Sequence, residues 1–172
     1  MKKLEKNIFL IGFMGAGKST IAAELEHELG VPRAEMDAMI VEREGMPISD
    51  IFDKHGETYF RDVETALLRD LQEKEGIIVS CGGGAVMRDE NAALMKQCGR
   101  IVLLTATPET IYERVKDSTD RPILNGNMNV EYISGLMEKR KDRYLAVADI
   151  VVATDGKSAA EIVQEILKAL DK

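Results

Sequence analysis

Gly12-Phe13-Met14-Gly15-Ala16-Gly17-Lys18-Ser19-Thr20 decides how the rest of the chain is read. It fits the pattern G-x-x-x-x-G-K-[ST], with an apolar run from Asn7 to Gly12 before it and a helical pattern after it, in which Ile21, Leu25 and Leu29 recur every four residues. Strand, glycine loop and helix start in that order make a phosphate cradle. Glycines let backbone N–H groups converge on phosphate oxygens at the positive end of a helix dipole. Gly12, Gly15, Ala16, Gly17 and Thr20 would form its wall, Lys18 would reach the β- and γ-phosphates, and the Ser19 hydroxyl would bind Mg²⁺.

Working outward, short apolar runs alternate with longer amphipathic segments. Strands are expected at Asn7–Gly12, Ile77–Cys81, Arg100–Thr105 and Asp149–Ala153, with a weaker one at Arg33–Met36. Helices are expected at Lys18–Leu29, Ser49–Glu75 with a break at Gly56, Asp89–Lys96, Pro108–Lys116, Val130–Ala146 and Ser158–Leu170. The alternation predicts a three-layer α/β fold, a five-stranded parallel sheet with helices on both faces. Residues 117–129 hold Pro122 and Gly126 without periodicity, the mark of a functional loop such as a lid.

At 172 residues one domain over 1–172 is expected. With 23 Lys and Arg against 30 Asp and Glu, the net charge of −7 argues against nonspecific nucleic-acid binding, so any anionic ligand must meet a local cationic patch. No run approaches the roughly 20 apolar residues that span a bilayer. The N-terminal Lys2, Lys3 and Lys6 before an apolar run imitate a secretory signal, but the run carries Gly12 and Gly15 and ends in Gly17-Lys18-Ser19-Thr20. A cytoplasmic protein without membrane contact is expected. Cys81 and Cys98 lack metal-ligand spacing, and His27 and His55 are isolated, so none is read as a ligand.

The cations stand out by position. Ile133, Leu136, Met137 and Tyr144 form one helical stripe with Arg140 at its centre, where an arginine needs a partner: a carboxylate or phosphate ligand, an acid of the chain, or water reached by snorkelling. Phe60, Val63, Leu67 and Leu71 form a second stripe with Glu64 inside it and Arg61 at its edge, spaced for an i to i+3 salt bridge. Arg121 beside Pro122 is either an exposed loop arginine or a cation that a closing lid brings to the phosphates. Gly82-Gly83-Gly84 follows a strand at the carboxyl edge where open α/β sheets bind ligands, and serves either close substrate approach or a tight exit turn. Asp37, at the same edge, suits orienting or deprotonating a hydroxyl, or capping a helix over Ala38–Glu44. Asp53-Lys54-His55-Gly56 fits D-x-x-G, but no guanine-reading N-K-x-D segment accompanies it, and a small-molecule phosphotransferase is favoured over a switch.

Taken together, the glycine loop, Glu35 with Asp37, Phe60-Arg61 with Glu64, Gly82-Gly83-Gly84, Arg121-Pro122, and Lys139-Arg140 with Tyr144 resemble the shikimate kinase family from Asn7 to Leu170. The resemblance implies a nucleoside-monophosphate-kinase-like fold with a mobile lid, and transfer of the ATP γ-phosphoryl to the 3-hydroxyl of shikimate in aromatic amino-acid biosynthesis. It implies that Arg61 and Arg140 hold the shikimate carboxylate, Asp37 and the backbone around Gly82, Gly83 and Gly84 its hydroxyls, Arg121 the transferring phosphoryl, and that Arg114 stacks on adenine. The family pattern is usually D-x-D; here Glu35 stands at the first acid, which in the family helps hold Mg²⁺ through water. A monomer is expected. The alternatives are a gluconate-type sugar-acid kinase and a nucleotide-binding regulatory module whose acceptor site has decayed.

Overall fold

The computed structural model describes residues 6–116 and 129–171. The elements run β1 (Asn7–Ile11), α1 (Lys18–Leu29), β2 (Arg33–Glu35), α2 (Met36–Glu44), α3 (Ile48–Leu71), β3 (Ile78–Ser80), a 3₁₀ turn (Ala85–Met87), α4 (Asp89–Cys98), β4 (Gly99–Thr105), α5 (Pro108–Val115), α6 (Val130–Val147), β5 (Ile150–Ala153) and α7 (Ala159–Leu170). Five parallel strands lie in the order β2-β3-β1-β4-β5. β1 is buried at every position because strands flank both its edges and helices cover both its faces. Its apolar run therefore shows no alternation.

Three helices start on a side-chain cap. Thr107 accepts from the Thr110 N–H ahead of α5, Asn129 from Tyr132 ahead of α6, and Ser158 from Glu161 ahead of α7. The break expected at Gly56 is real, with φ 84° and ψ 171°, a conformation that L residues rarely adopt. One expectation fails locally: Asp37 does not cap a helix. The chain turns directly from β2 into α2, Glu35 occupies the capping position without a side-chain cap, and Asp37 lies within the first turn. That leaves the Asp37 carboxylate available for other partners.

Two buried polar clusters fix loops at opposite edges of the sheet, one where strands enter and one where they leave. The Asn7 side chain donates to the Lys74 carbonyl (2.8 Å) and accepts from the Ile77 N–H (3.0 Å), anchoring the entry to β3. The Thr65 hydroxyl donates to Asn91 Oδ1 (2.8 Å), and the Asn91 amide donates to the Ala85 carbonyl (2.8 Å). This ties the loop after β3 to α3 and α4. Buried amides and hydroxyls are costly unless bonded, so each such set selects one loop position.

The connections from β1 and β4 leave toward opposite edges of the sheet, since β1 leads to β2 and β4 to β5. In parallel α/β sheets that divergence opens a crevice at the carboxyl ends. Among the described residues no helix is long and apolar enough to cross a membrane. The lid and Arg121 fall outside the described residues, except Asn129 at the start of α6.

Candidate active site

The crevice holds a cleft of about 320 Å³ whose walls include Gly15, Gly17, Lys18, Ser19, Asp37 and Arg114. Its floor is the glycine loop. Gly12, Gly15 and Gly17 have φ of 149°, 82° and 102°. A Cβ on Gly12 would lie 2.5 Å from the Leu104 carbonyl oxygen, and one on Gly15 would lie 2.7 Å from Val115 Cγ1. The loop is thus both left-handed and pressed against β4 and α5, which only glycine permits. Gly17 caps α1 without any side-chain hydrogen bond. The first amides of α1 therefore stay free of an intrinsic side-chain cap, as an anion site at a helix start requires.

Lys18 Nζ donates to the carbonyls of Gly12 (2.5 Å) and Phe13 (3.2 Å), which holds the ammonium over the loop. Ser19 Oγ donates to Glu35 Oε2 at 2.9 Å. A hydroxyl and a carboxylate side by side at the cleft are hard oxygen donors of the kind Mg²⁺ takes when phosphates and waters complete its shell. The residues present therefore fit the metal, and the extra methylene of Glu35 does not carry its carboxylate away from Ser19. Among the described residues no cluster of three or more acids, histidines or cysteines offers a closed protein cage. Arg114 Nη1 donates to the Gly15 carbonyl (3.0 Å) and to Thr154 Oγ1 (3.2 Å), fixing its guanidinium at the cleft's outer wall.

The second half of the site is built by charge. Arg61 Nη1 donates to Glu64 Oε1 at 2.8 Å, the i to i+3 pair read from the sequence, and Arg61 Nη2 reaches Glu57 at 3.4 Å. Glu64 is wholly buried, and among the described residues its Oε2 has no hydrogen-bond partner. Burial pushes the Glu64 carboxyl above its ordinary range; Arg61 and Arg140 oppose the shift, while Asp37 adds to it. Arg140 is 8% exposed, and among the described residues its Nη1 likewise has no partner. It neither pairs fully with an acid nor snorkels to water, so of the three options the sequence leaves open, a bound anion is the one its free nitrogen fits.

The glycine run after β3 explains why these groups can converge. A Cβ on Gly82 would lie 2.6 Å from Glu64 Oε2 and 3.1 Å from Asp37 Oδ1; on Gly83, 3.4 Å from Arg140 Nη1; on Gly84, 2.6 Å from Arg61 Nη2. Each successive glycine faces a different charged side chain. The exit-turn role and the close-approach role coincide here, because the tight turn is the surface against which the charges rest.

Two supporting contacts had no signal in the sequence. The Arg140 guanidinium lies 5.6 Å from the centre of the Phe13 ring, a cation–π contact made by the glycine loop itself. The Tyr144 hydroxyl donates to the Gly83 carbonyl, and burial pushes the phenol's pKa up, so it stays a donor. Thr154 behind Arg114 likewise has no signal in the sequence, since an isolated threonine after a strand carries no pattern. Cys81, fully buried before Gly82, has its thiol pushed well up by burial and is inert.

Comparison with known proteins points to one family. The family model described as shikimate kinase matches residues 14–171. A curated shikimate kinase from Geobacter metallireducens is 42% identical over 96% of this chain and 92% of its own length. Among solved structures, shikimate kinase from Acinetobacter baumannii in complex with shikimate superposes with a TM-score of 0.93 at 32% identity, covering 98% of this chain and 94% of that one. Shikimate kinase from Aquifex aeolicus gives a TM-score of 0.83 at 41% identity, with 96% of each chain covered. A phosphate loop, a charged acceptor pocket fed by a glycine ledge, and relatives matching over almost the whole length lead to one conclusion: this chain belongs to the shikimate kinase family.

Proposed function

We propose that the chain transfers the γ-phosphoryl of ATP to the 3-hydroxyl of shikimate, giving shikimate 3-phosphate. The carrying observation is the buried Arg140 guanidinium, whose Nη1 is unpartnered beside Gly83 and only a residue's width from the phosphate loop. A nucleotide site alone does not choose an acceptor; a desolvated, half-satisfied arginine next to a second one chooses a small carboxylate. Arg61 and Arg140 grip that carboxylate, and the main chain of Gly82, Gly83 and Gly84 gives the ring flat access to them.

Phosphoryl transfer asks little covalent work of a protein, and most of the barrier is lowered by position and by charge facing the spreading phosphate charge. Gly12, Gly15, Ala16, Gly17 and Thr20 surround the phosphates, and Lys18 moves from its loop carbonyls to the β- and γ-oxygens. Ser19 and Glu35 would hold Mg²⁺, which when bound would neutralise phosphate charge. Asp37 Oδ1 lies where a Cβ on Gly82 would press on it and also lines the nucleotide cleft, so its carboxylate aims the attacking hydroxyl and accepts its hydrogen bond. Arg114 shelves the adenine, and Arg121, by family likeness alone, meets the transferring phosphoryl. The working form is a cytoplasmic monomer.

The test is ADP release in a coupled assay with shikimate and, in parallel, gluconate. Turnover with shikimate at least tenfold above gluconate is expected. Equal or inverted rates would overturn the acceptor assignment, and ATP binding without turnover of either would return the chain to a nucleotide-binding module.

A further inference from the structure

On the far side of Phe13 from the cleft lies a second cavity of about 270 Å³. Its walls come from the carboxyl end of β4, Pro108 at the start of α5, and one stripe of α6 formed by Ser134, Met137, Lys141 and Leu145. No residue lines both this cavity and the cleft. Its interior is apolar, bounded by Phe13, Leu103 and Met137, whereas Glu138 and Lys141 stand exposed at its rim. Those two are spaced i to i+3, where opposite charges ordinarily pair, yet among the described residues no ion pair joins them. A compact apolar chamber with one cation and one anion at its mouth matches a ligand of the same polarity pattern: an apolar body carrying an ammonium and a carboxylate together.

The walls also give the cavity a mechanical link to catalysis. Phe13 presents its ring to Arg140, and Tyr144 bonds the Gly83 carbonyl, so two cavity walls are also supports of the acceptor pocket. Leu104, a third wall, has its carbonyl in close approach to Gly12. A body wedged between Phe13 and Tyr144 cannot fill the space without bearing on Arg140 and the glycine ledge, because packed interiors transmit strain rather than absorb it.

We propose that this cavity is a regulatory site for a small α-amino acid with an apolar side chain, the side chain entering between Phe13 and Met137 and the charged head resting between Glu138 and Lys141. Binding there changes the affinity of the acceptor pocket, and by linkage the acceptor changes the affinity of the cavity by the same factor.

Calorimetry on the full chain with L-phenylalanine as probe tests this, with 3-phenylpropionate and 2-phenylethylamine as single-charge controls. Saturable heat is expected with L-phenylalanine, at least tenfold weaker binding of either control, and loss of the heat in Ser134→Phe, which fills the chamber from an exposed helix position. The double variant Glu138→Ala, Lys141→Ala should weaken the probe about tenfold or more while still melting cooperatively. Saturating probe should shift the shikimate dissociation constant about 5-fold or more. Absence of heat, heat that survives Ser134→Phe, or controls that bind as well as the amino acid would each overturn the site. Heat with an unmoved shikimate constant would overturn the coupling. Failure of shikimate itself to bind would instead refute the acceptor reading above, and the probe's heat would still decide the cavity.

Discussion

The two halves of the proposed active site are made from different materials. The nucleotide side is shaped by main chain: left-handed glycines packed against Leu104 and Val115, and a helix start left open by Gly17. The acceptor side is shaped by buried side-chain charge: Arg61, Glu64, Arg140 and Asp37 converging on a glycine ledge. A triphosphate tail is flexible and multiply charged, so a ring of amides suits it. A small rigid acid has one carboxylate in one place, and recognising it takes groups fixed in direction. The nucleotide side should therefore respond to substitution mainly in turnover, and the acceptor side mainly in affinity.

The largest effect expected of that contrast lies in Lys18→Ala. Loss of the charge that meets the transferring phosphate should lower kcat by about 10²–10³ or more, with the circular dichroism spectrum unchanged. A variant that kept its turnover would remove the phosphate loop from the chemistry. On the other side, Arg140→Ala should raise the shikimate KM by about 30-fold or more, the lower end of about 2–5 kcal/mol for truncating one partner of a buried charge pair. If kcat fell and KM did not, the division between the halves would be wrong.

Gly84→Ala sharpens the comparison without removing any charge. Its φ of −103° tolerates alanine, but the new methyl would lie 2.6 Å from Arg61 Nη2, so the guanidinium must swing aside. Overpacking of this kind costs about 1–3 kcal/mol, and a rise of about tenfold in the shikimate KM with the ATP KM unmoved is the expected reading. The smallest effect concerns pH. Burial raises the Glu64 carboxyl above the ordinary value of 4.5, so the folded chain holds this proton where the unfolded chain has released it. The stability it contributes is then full below about pH 4.5 and is lost as pH rises through the folded value. Denaturant titrations from pH 4.5 to 8 should show Glu64→Gln flattening that decline; an unchanged slope would assign the decline to other groups.

How much of this could be read beforehand differs between the halves for the same reason. The phosphate loop is a continuous segment, and its strand and helix flank it in sequence, so its geometry follows from local rules; α1 runs over the expected Lys18–Leu29. The ends of β2 and β3 were less legible: both shrink to Arg33–Glu35 and Ile78–Ser80, because hydrogen-bonded register with a neighbour ends a strand where apolarity continues. Arg140 stood out because a charge at the centre of an apolar stripe violates periodicity. Whether it met a ligand, an acid or water could not be read, since that depends on what α3 and the ledge bring to it from far along the chain. The contacts of Phe13 with that arginine and of Tyr144 with Gly83 gave no sign, because both residues stand in motifs but meet their partners only once the fold juxtaposes them. Asp37 was half legible: its edge position was right, and its capping role was lost because α2 starts two residues earlier, at Met36 rather than Ala38.

The ledge of Gly82, Gly83 and Gly84 bears on how the enzyme could be blocked. A competitive inhibitor that spends its contacts there touches main chain, which codon changes alter only by adding a side chain; at Gly82 and Gly84 that addition collides with Glu64 or Arg61, and at Gly83 it comes into contact with Arg140. Resistance arising at those three positions would injure the enzyme along with the drug's grip, so escape would have to come from residues farther out.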